Sequence, residues 1–220
     1  MRGGRAICPW IRPRMPASRP SGLEASKLLH ASVSCHHVAF VSIGFKEWTL
    51  ICDALGGGSQ SIILRKGGIA EGRAGFRFQH DEFFLFPTLF HEQVAKLKLP
   101  PETLLPASFP EGRIAINYRA RVEWTQDLGD LATVRRLAPF HLWRDDVIEE
   151  RFRYDEKLGV SLAFVRVEKL AEPFVFPNAP RYGGCRSWVT LPDPPPTLAA
   201  VAVLSDAAHE ERAAQIRALL

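Results

Sequence analysis

The stretch Arg113-Ile114-Ala115-Ile116-Asn117-Tyr118-Arg119-Ala120-Arg121-Val122-Glu123-Trp124 decides how this chain folds. Ile114, Ile116, Tyr118, Ala120, Val122 and Trp124 alternate with Arg113, Asn117, Arg119, Arg121 and Glu123. Successive side chains of a strand point to opposite faces, so this period of two predicts a long strand with one apolar and one charged face. Ile116 and Val122 are expected to point inward. Arg119 and Arg121 are expected to face solvent or a ligand.

Shorter elements flank this strand. Upstream, Trp48, Ile51, Cys52 and Leu55 fall at helical spacing, and Gly56-Gly57-Gly58 stops that helix. Ser61 to Arg65 reads as a buried strand, Lys66-Gly67-Gly68 as a turn, and Phe83 to Phe86 as a second strand ended by Pro87. Leu89 to Lys98 reads as a short helix before Pro100-Pro101. Downstream, Asp145 to Phe152 is helical, Val160 to Val167 is an apolar strand, and a last strand covers Trp188 to Leu191. Pro192 to Pro196 reads as a stiff linker, and Ser205 as the cap of a terminal helix with Ile216, Leu219 and Leu220 on its apolar side.

Strands and helices do not alternate regularly, which disfavours a doubly wound parallel sheet. The expected class is α+β: a curved, mostly antiparallel sheet or small barrel with flanking helices. The expected organisation is a disordered or mis-annotated tail over residues 1–36, one globular domain over 40–191, and a linker with a C-terminal helix over 192–220.

The formal charge of +4 invites a nucleic-acid reading, but its distribution narrows it. Residues 1–30 hold six of the 28 Lys and Arg residues and one of the 24 Asp and Glu residues, so the remainder carries 22 against 23. Any phosphate-tracking surface is then a local patch on a near-neutral domain. Cys8, Cys35, Cys52 and Cys185 show no C-x-x-C spacing, which argues against a zinc framework, and no secretory signal supports disulfides. No apolar run reaches the roughly 20 residues a membrane helix needs. A cytoplasmic, membrane-free protein without a cofactor is expected.

Several motifs occur together and in order: Lys46-Glu47-Trp48, Leu64 to Ile69, Phe86-Pro87-Thr88 with His91-Glu92, His141-x-Trp143, Glu150-Arg151-Phe152, and Tyr182 to Trp188. In these the chain resembles an uncharacterised bacterial family, domain of unknown function 1802, from about Phe45 to Leu191. Some relatives are joined to restriction-endonuclease-like domains, so the resemblance implies a DNA, restriction-modification or defence context and a candidate nuclease partner. Residues 113–176 also resemble small PUA, ASCH or EVE domains, through Ala120–Trp124, Leu137–His141, Asp145–Phe152 and Phe164–Pro173. Domains of that kind mostly bind RNA or modified bases, which the resemblance carries over as an expectation.

Two segments are candidate binding elements. In Arg65-Lys66-Gly67-Gly68, two cations leave a strand beside glycines that let backbone approach an anion. The order of a P-loop is absent. In Tyr182 to Trp188, Arg186 offers a cation, while Tyr182 and Trp188 offer rings for base stacking. With His91 and Arg119 these form the expected ligand-binding set. The alternative for each segment is a plain turn, with solvated cations in the first and a core Trp188 in the second. Asp155-Glu156-Lys157 reads as a turn despite its loose likeness to a nuclease triplet. The expected function is a non-enzymatic module for a nucleic acid or nucleotide-like anion. The alternative is a hydrolase or nuclease using His91, His141 or Cys185.

Overall fold

The computed structural model describes residues 42–66, 76–100, 102–105, 108–155 and 157–220. The tail over 1–36, Cys8, Cys35, Gly67, Gly68 and Glu156 lie outside the described residues.

The chain begins with β1 (Ile43–Trp48), α1 (Thr49–Gly56), β2 (Ile62–Arg65), β3 (Glu82–Thr88) and α2 (Gln93–Lys96). It continues through β4 (Arg113–Leu128), α3 (Leu131–Arg136), α4 (Asp145–Phe152) and β5 (Val160–Pro177). The last elements are β6 (Trp188–Thr190), β7 (Ala200–Ala202) and α5 (Asp206–Arg217). The strands form one open sheet in the order β2-β5-β4-β3-β1-β6, with β7 also paired to β5. Every pairing is antiparallel except β1 with β3. The open sheet with flanking helices, rather than a closed barrel, is the form of the α+β expectation that the described strands take.

The long strand is present over all the residues that predicted it. Ile114 and Ile116 are fully buried and Ala120 is buried, while Arg119 and Arg121 are exposed. Its partner β5 runs beyond Val167, where the apolar pattern ends, as far as Pro177. The register explains why the pattern is hidden. Between the pairs Ile116↔Phe174 and Tyr118↔Lys169, β4 has Asn117 alone while β5 has Leu170 to Pro173. Extra residues bend and twist the strand, and Pro173 sits in that irregularity, where no ladder N–H is required of it.

The break separates two cores. One gathers Phe45, Ile51, Leu55, Ile62, Leu85, Val134, Trp143, Ile148 and Phe164, with Ile216 of α5. The other gathers Phe86, Ile114, Ile116, Phe174, Phe176, Tyr182 and Val189. The first core therefore does not stop at Leu191. Ser205 Oγ accepts from Ala208 N at 3.3 Å and caps α5, and Ile216 is fully buried. Polar contacts dock the same helix: His209 Nε2 lies 3.1 Å from Glu123 Oε2, and Arg166, which also pairs with Glu123 at 3.2 Å, reaches Asp206 at 2.7 Å.

Three elements differ from the sequence reading. Residues 43–48 form a strand, since β1 finds β3 on one side and β6 on the other. The helix expected over 89–98 is confined to Gln93–Lys96, because Leu97 leaves it to bridge Trp143. The short β7 pairs with β5 just beyond the Pro-rich segment. Among the described residues no helix is long and apolar enough to cross a membrane.

Candidate functional site

Where β1 ends, Trp48 hands the chain directly to α1 without a side-chain cap. Around this junction lies a cleft of about 460 Å³. Lys46 and Trp48 come from β1, Arg65 and Lys66 from the end of β2, and Thr88 and Phe90 from the end of β3 and the turn after it. Arg151 and Tyr154 come from α4 and the turn after it, and Gly184, Cys185, Arg186 and Ser187 from the loop before β6. Among the described residues five cations and no carboxylate line it. The structure therefore brings the Arg65-Lys66 segment and the Arg186 loop, 120 residues apart in sequence, to one cavity.

The five cations are not equivalent. Arg65 is tied inward: its guanidinium pairs with Glu47, Nη1 to Oε2 at 3.5 Å, and donates to the Lys46 carbonyl. Glu47 is only 1% exposed, and its other carboxylate oxygen accepts from Trp48 N at 2.8 Å. Lys66 is also committed. Its ammonium lies 2.9 Å from Asp155 Oδ1 and donates to the carbonyls of Gly159 at 3.0 Å, Phe152 and Lys157. This ammonium ties down the loop after α4, and its hydrogen bond holds the Asp155 carboxyl below the ordinary aspartate range. Lys46 donates to the carbonyls of Tyr182 at 2.8 Å and Gly184 at 2.7 Å, so it holds the opposite loop. Burial lowers the Lys46 ammonium; the Cys185 sulfur opposes that shift, and Arg186 and Arg65 add to it.

Arg151 and Arg186 differ from the other three. Among the described residues neither makes an ion pair or a hydrogen bond. Arg151 is held by rings instead: its guanidinium carbon lies 3.5 Å from the centroid of Trp143 and 5.3 Å from that of Trp48. Trp48 in turn meets Trp143 edge-on at 4.5 Å and tilts against Phe90 at 5.3 Å. Burial pushes Arg151 down to about 10, with nearby Glu47 opposing and Arg65 adding to the shift, so it stays charged at neutral pH. Arg186 is exposed on the loop that Lys46 secures. The cleft thus presents two guanidiniums with unused donors beside aromatic surface, on a scaffold fixed by three other cations. That arrangement suits an anion carrying a flat group.

Other expected site residues lie elsewhere. Tyr182 is 3% exposed, its ring packed on Phe86 and Phe176, so only its carbonyl serves the cleft, through Lys46. Trp188 packs against Phe45, Phe83 and His80 and is a core ring rather than a stacking platform. His91 is 84% exposed, pairs with Glu92 and does not line the cleft. Arg119 pairs with Glu168 on the outer face of the sheet. His141 is buried, and burial together with nearby Lys98 pushes it down to about 3. It is a packed, neutral histidine away from the cleft. Asp155 accepts from Lys157 N at 3.0 Å, as a turn residue does.

Sequence reading missed Lys46, Trp48, Thr88, Phe90 and Arg151. Lys46-Glu47-Trp48 and Glu150-Arg151-Phe152 were among the ordered motifs, so the signal was present, but their chemistry depends on pairings that only the fold supplies. Cys52 is a buried free thiol and Cys185 an exposed one. Among the described residues no group of three or more His, Cys, Asp or Glu is placed to hold a metal ion.

Comparison with solved structures finds the crystal structure of ASCH from Zymomonas mobilis, with 12% identity and a TM-score of 0.41, covering 69% of this chain and 88% of that one. A point mutant of the same protein gives 10% identity and a TM-score of 0.43, covering 80% of this chain and 96% of that one. No curated protein matches the sequence. The family model described as domain of unknown function (DUF1802) matches residues 44–215, most of the chain and all the elements around the cleft, and the protein belongs to that family.

Proposed function

We propose that the cleft binds a nucleic acid or nucleotide-like anion, and that the protein works as a binding module. The observation that carries this is the pair Arg151 and Arg186: among the described residues these two guanidiniums make no ion pair or hydrogen bond, and they share a cavity with Trp48 and Phe90 that is lined by five cations and no described carboxylate. An unpaired guanidinium offers a planar fork of donors matched to a phosphate, and aromatic faces accept a base without reading its sequence. Outside the cleft, cations such as Arg119, Arg121, Arg135, Arg144 and Arg166 are paired with carboxylates. A duplex, which carries a charge about every 1.7 Å, calls for a continuous basic track, and these paired cations among the described residues do not supply one. The favoured ligand is a single nucleotide unit, free or at an unpaired position of a strand.

The test is a binding panel of purified full-length protein with a nucleoside monophosphate, single-stranded RNA, single-stranded DNA and duplex DNA at stated salt. Arg186→Ala is expected to weaken the bound probes and Arg121→Ala to leave them unchanged. Absence of binding to every probe, or equal losses in both variants, would overturn the reading. Hydrolysis in the same cleft is the alternative, and its supporting observation is the exposed Cys185 thiol near the Lys46 ammonium. Turnover of a bound probe that disappears in Cys185→Ala would favour it.

A further inference from the structure

A second hollow of about 170 Å³ lies on the other side of β3. Thr88 lines the cationic cleft while its neighbour Pro87 lines this hollow, as alternation along a strand requires. Its exposed wall is mostly apolar, with Leu85, Pro87 and Phe109 among the lining, and polar groups join them: the Asp53 carboxylate from α1, the Tyr118 phenol and Asn117 from β4, with Thr49 and Arg113 at its edge. Neither Asp53 nor Tyr118 makes an ion pair or hydrogen bond through its side chain among the described residues.

The position of Tyr118 is built into the backbone. A Cβ added at Gly56 would stand 2.1 Å from the Tyr118 ring, so the ring lies across the helix where only glycine leaves room. Asp53 is an exposed residue, yet burial of part of its carboxyl raises it above the ordinary aspartate range, and its charge adds to the burial that raises the Tyr118 phenol. Both groups are thus in a setting that an incoming positive charge would relieve. Arg113 also lines the hollow but forms no ion pair with Asp53, so the carboxylate is not neutralised from within.

We propose that this hollow is a second binding site, for a small primary amine on an apolar body. The ammonium would meet the Asp53 carboxylate and the faces of Tyr118 and Phe109, and the apolar body would rest on Leu85 and Pro87. The proposal does not rest on the reading of the cationic cleft.

Benzylamine is a suitable probe, with benzoate and benzyl alcohol as its anionic and neutral counterparts, titrated into the full chain and followed by NMR. Benzylamine is expected to bind saturably. Asp53→Asn, which keeps shape and removes charge, is expected to weaken it by about tenfold or more, and Arg186→Ala to leave it unchanged. Benzoate is expected to bind at least tenfold more weakly than benzylamine, by the same charge argument. The proposal fails if benzylamine shows no saturable binding, if Asp53→Asn binds it equally well, or if benzoate binds as tightly.

Discussion

The guanidinium carbon of Arg151 sits 3.5 Å from the centroid of the Trp143 ring, and among the described residues no carboxylate pairs with it. The rings hold the arginine in place while its donors remain available to the cleft. A lysine could keep the charge there but not the flat stacking.

Arg151→Lys is therefore expected to cost about 1–2 kcal/mol of stability, the range of a desolvated cation–ring contact. In a domain of this size that corresponds to a fall of roughly 2–8 °C in Tm. Thermal unfolding of the two proteins checks it, and an unchanged Tm would show that the stack contributes nothing.

The long strand allows a paired test of facing. Ile116 is fully buried beside Phe174, so Ile116→Ala is expected to cost about 2–5 kcal/mol. Arg121 is exposed and pairs only with Glu123, at 3.7 Å, so Arg121→Ala is expected to cost under about 0.5 kcal/mol. Urea unfolding of both variants decides it, and equal costs would mean that the two faces are not distinguished as described.

His141 makes stability depend on pH. Its folded pKa, about 3, lies below the ordinary value of 6.5. The unfolded chain therefore takes up a proton near pH 6.5 that the folded chain refuses. The stability is fully present above that pH and is lost as pH falls toward 3. Between pH 6.5 and pH 5 the loss from this group is expected to be roughly 1–2 kcal/mol. His141→Phe is expected to flatten the dependence in that window, as measured by urea midpoints at several pH values. An identical slope in the variant would contradict the buried, neutral assignment.

How much of this was legible in the sequence varies by element. The period-two run at Arg113 to Trp124 marked the central strand because its buried and exposed residues alternate along most of its length. The β5 continuation was hidden because Glu168, Lys169, Glu172 and Pro173 fall at and beside an irregular pairing, where alternation is lost. β1 was hidden because Trp48 reads at helical spacing with Ile51, Cys52 and Leu55, whereas Trp48 ends the strand and only the other three lie in α1. At the site, cations of both marked segments line one cleft, but sequence could not say which cations are occupied. Lys66 looked available and is used up on Asp155 and three carbonyls. Arg151 falls in the helix read over Asp145 to Phe152, and among the described residues it makes ring contacts but no ion pair or hydrogen bond. Tyr182 and Trp188 looked like binding rings because aromatic residues beside glycines read the same whether they face a ligand or a core.

The most direct test of the central claim is the salt dependence of single-stranded oligonucleotide binding, compared between the natural protein and Arg186→Ala. If Arg186 contacts a phosphate in the cleft, log Kobs against log salt is expected to be shallower in the variant by about 0.7–1, with weaker binding at low salt. Superimposable lines for the two proteins would contradict the account.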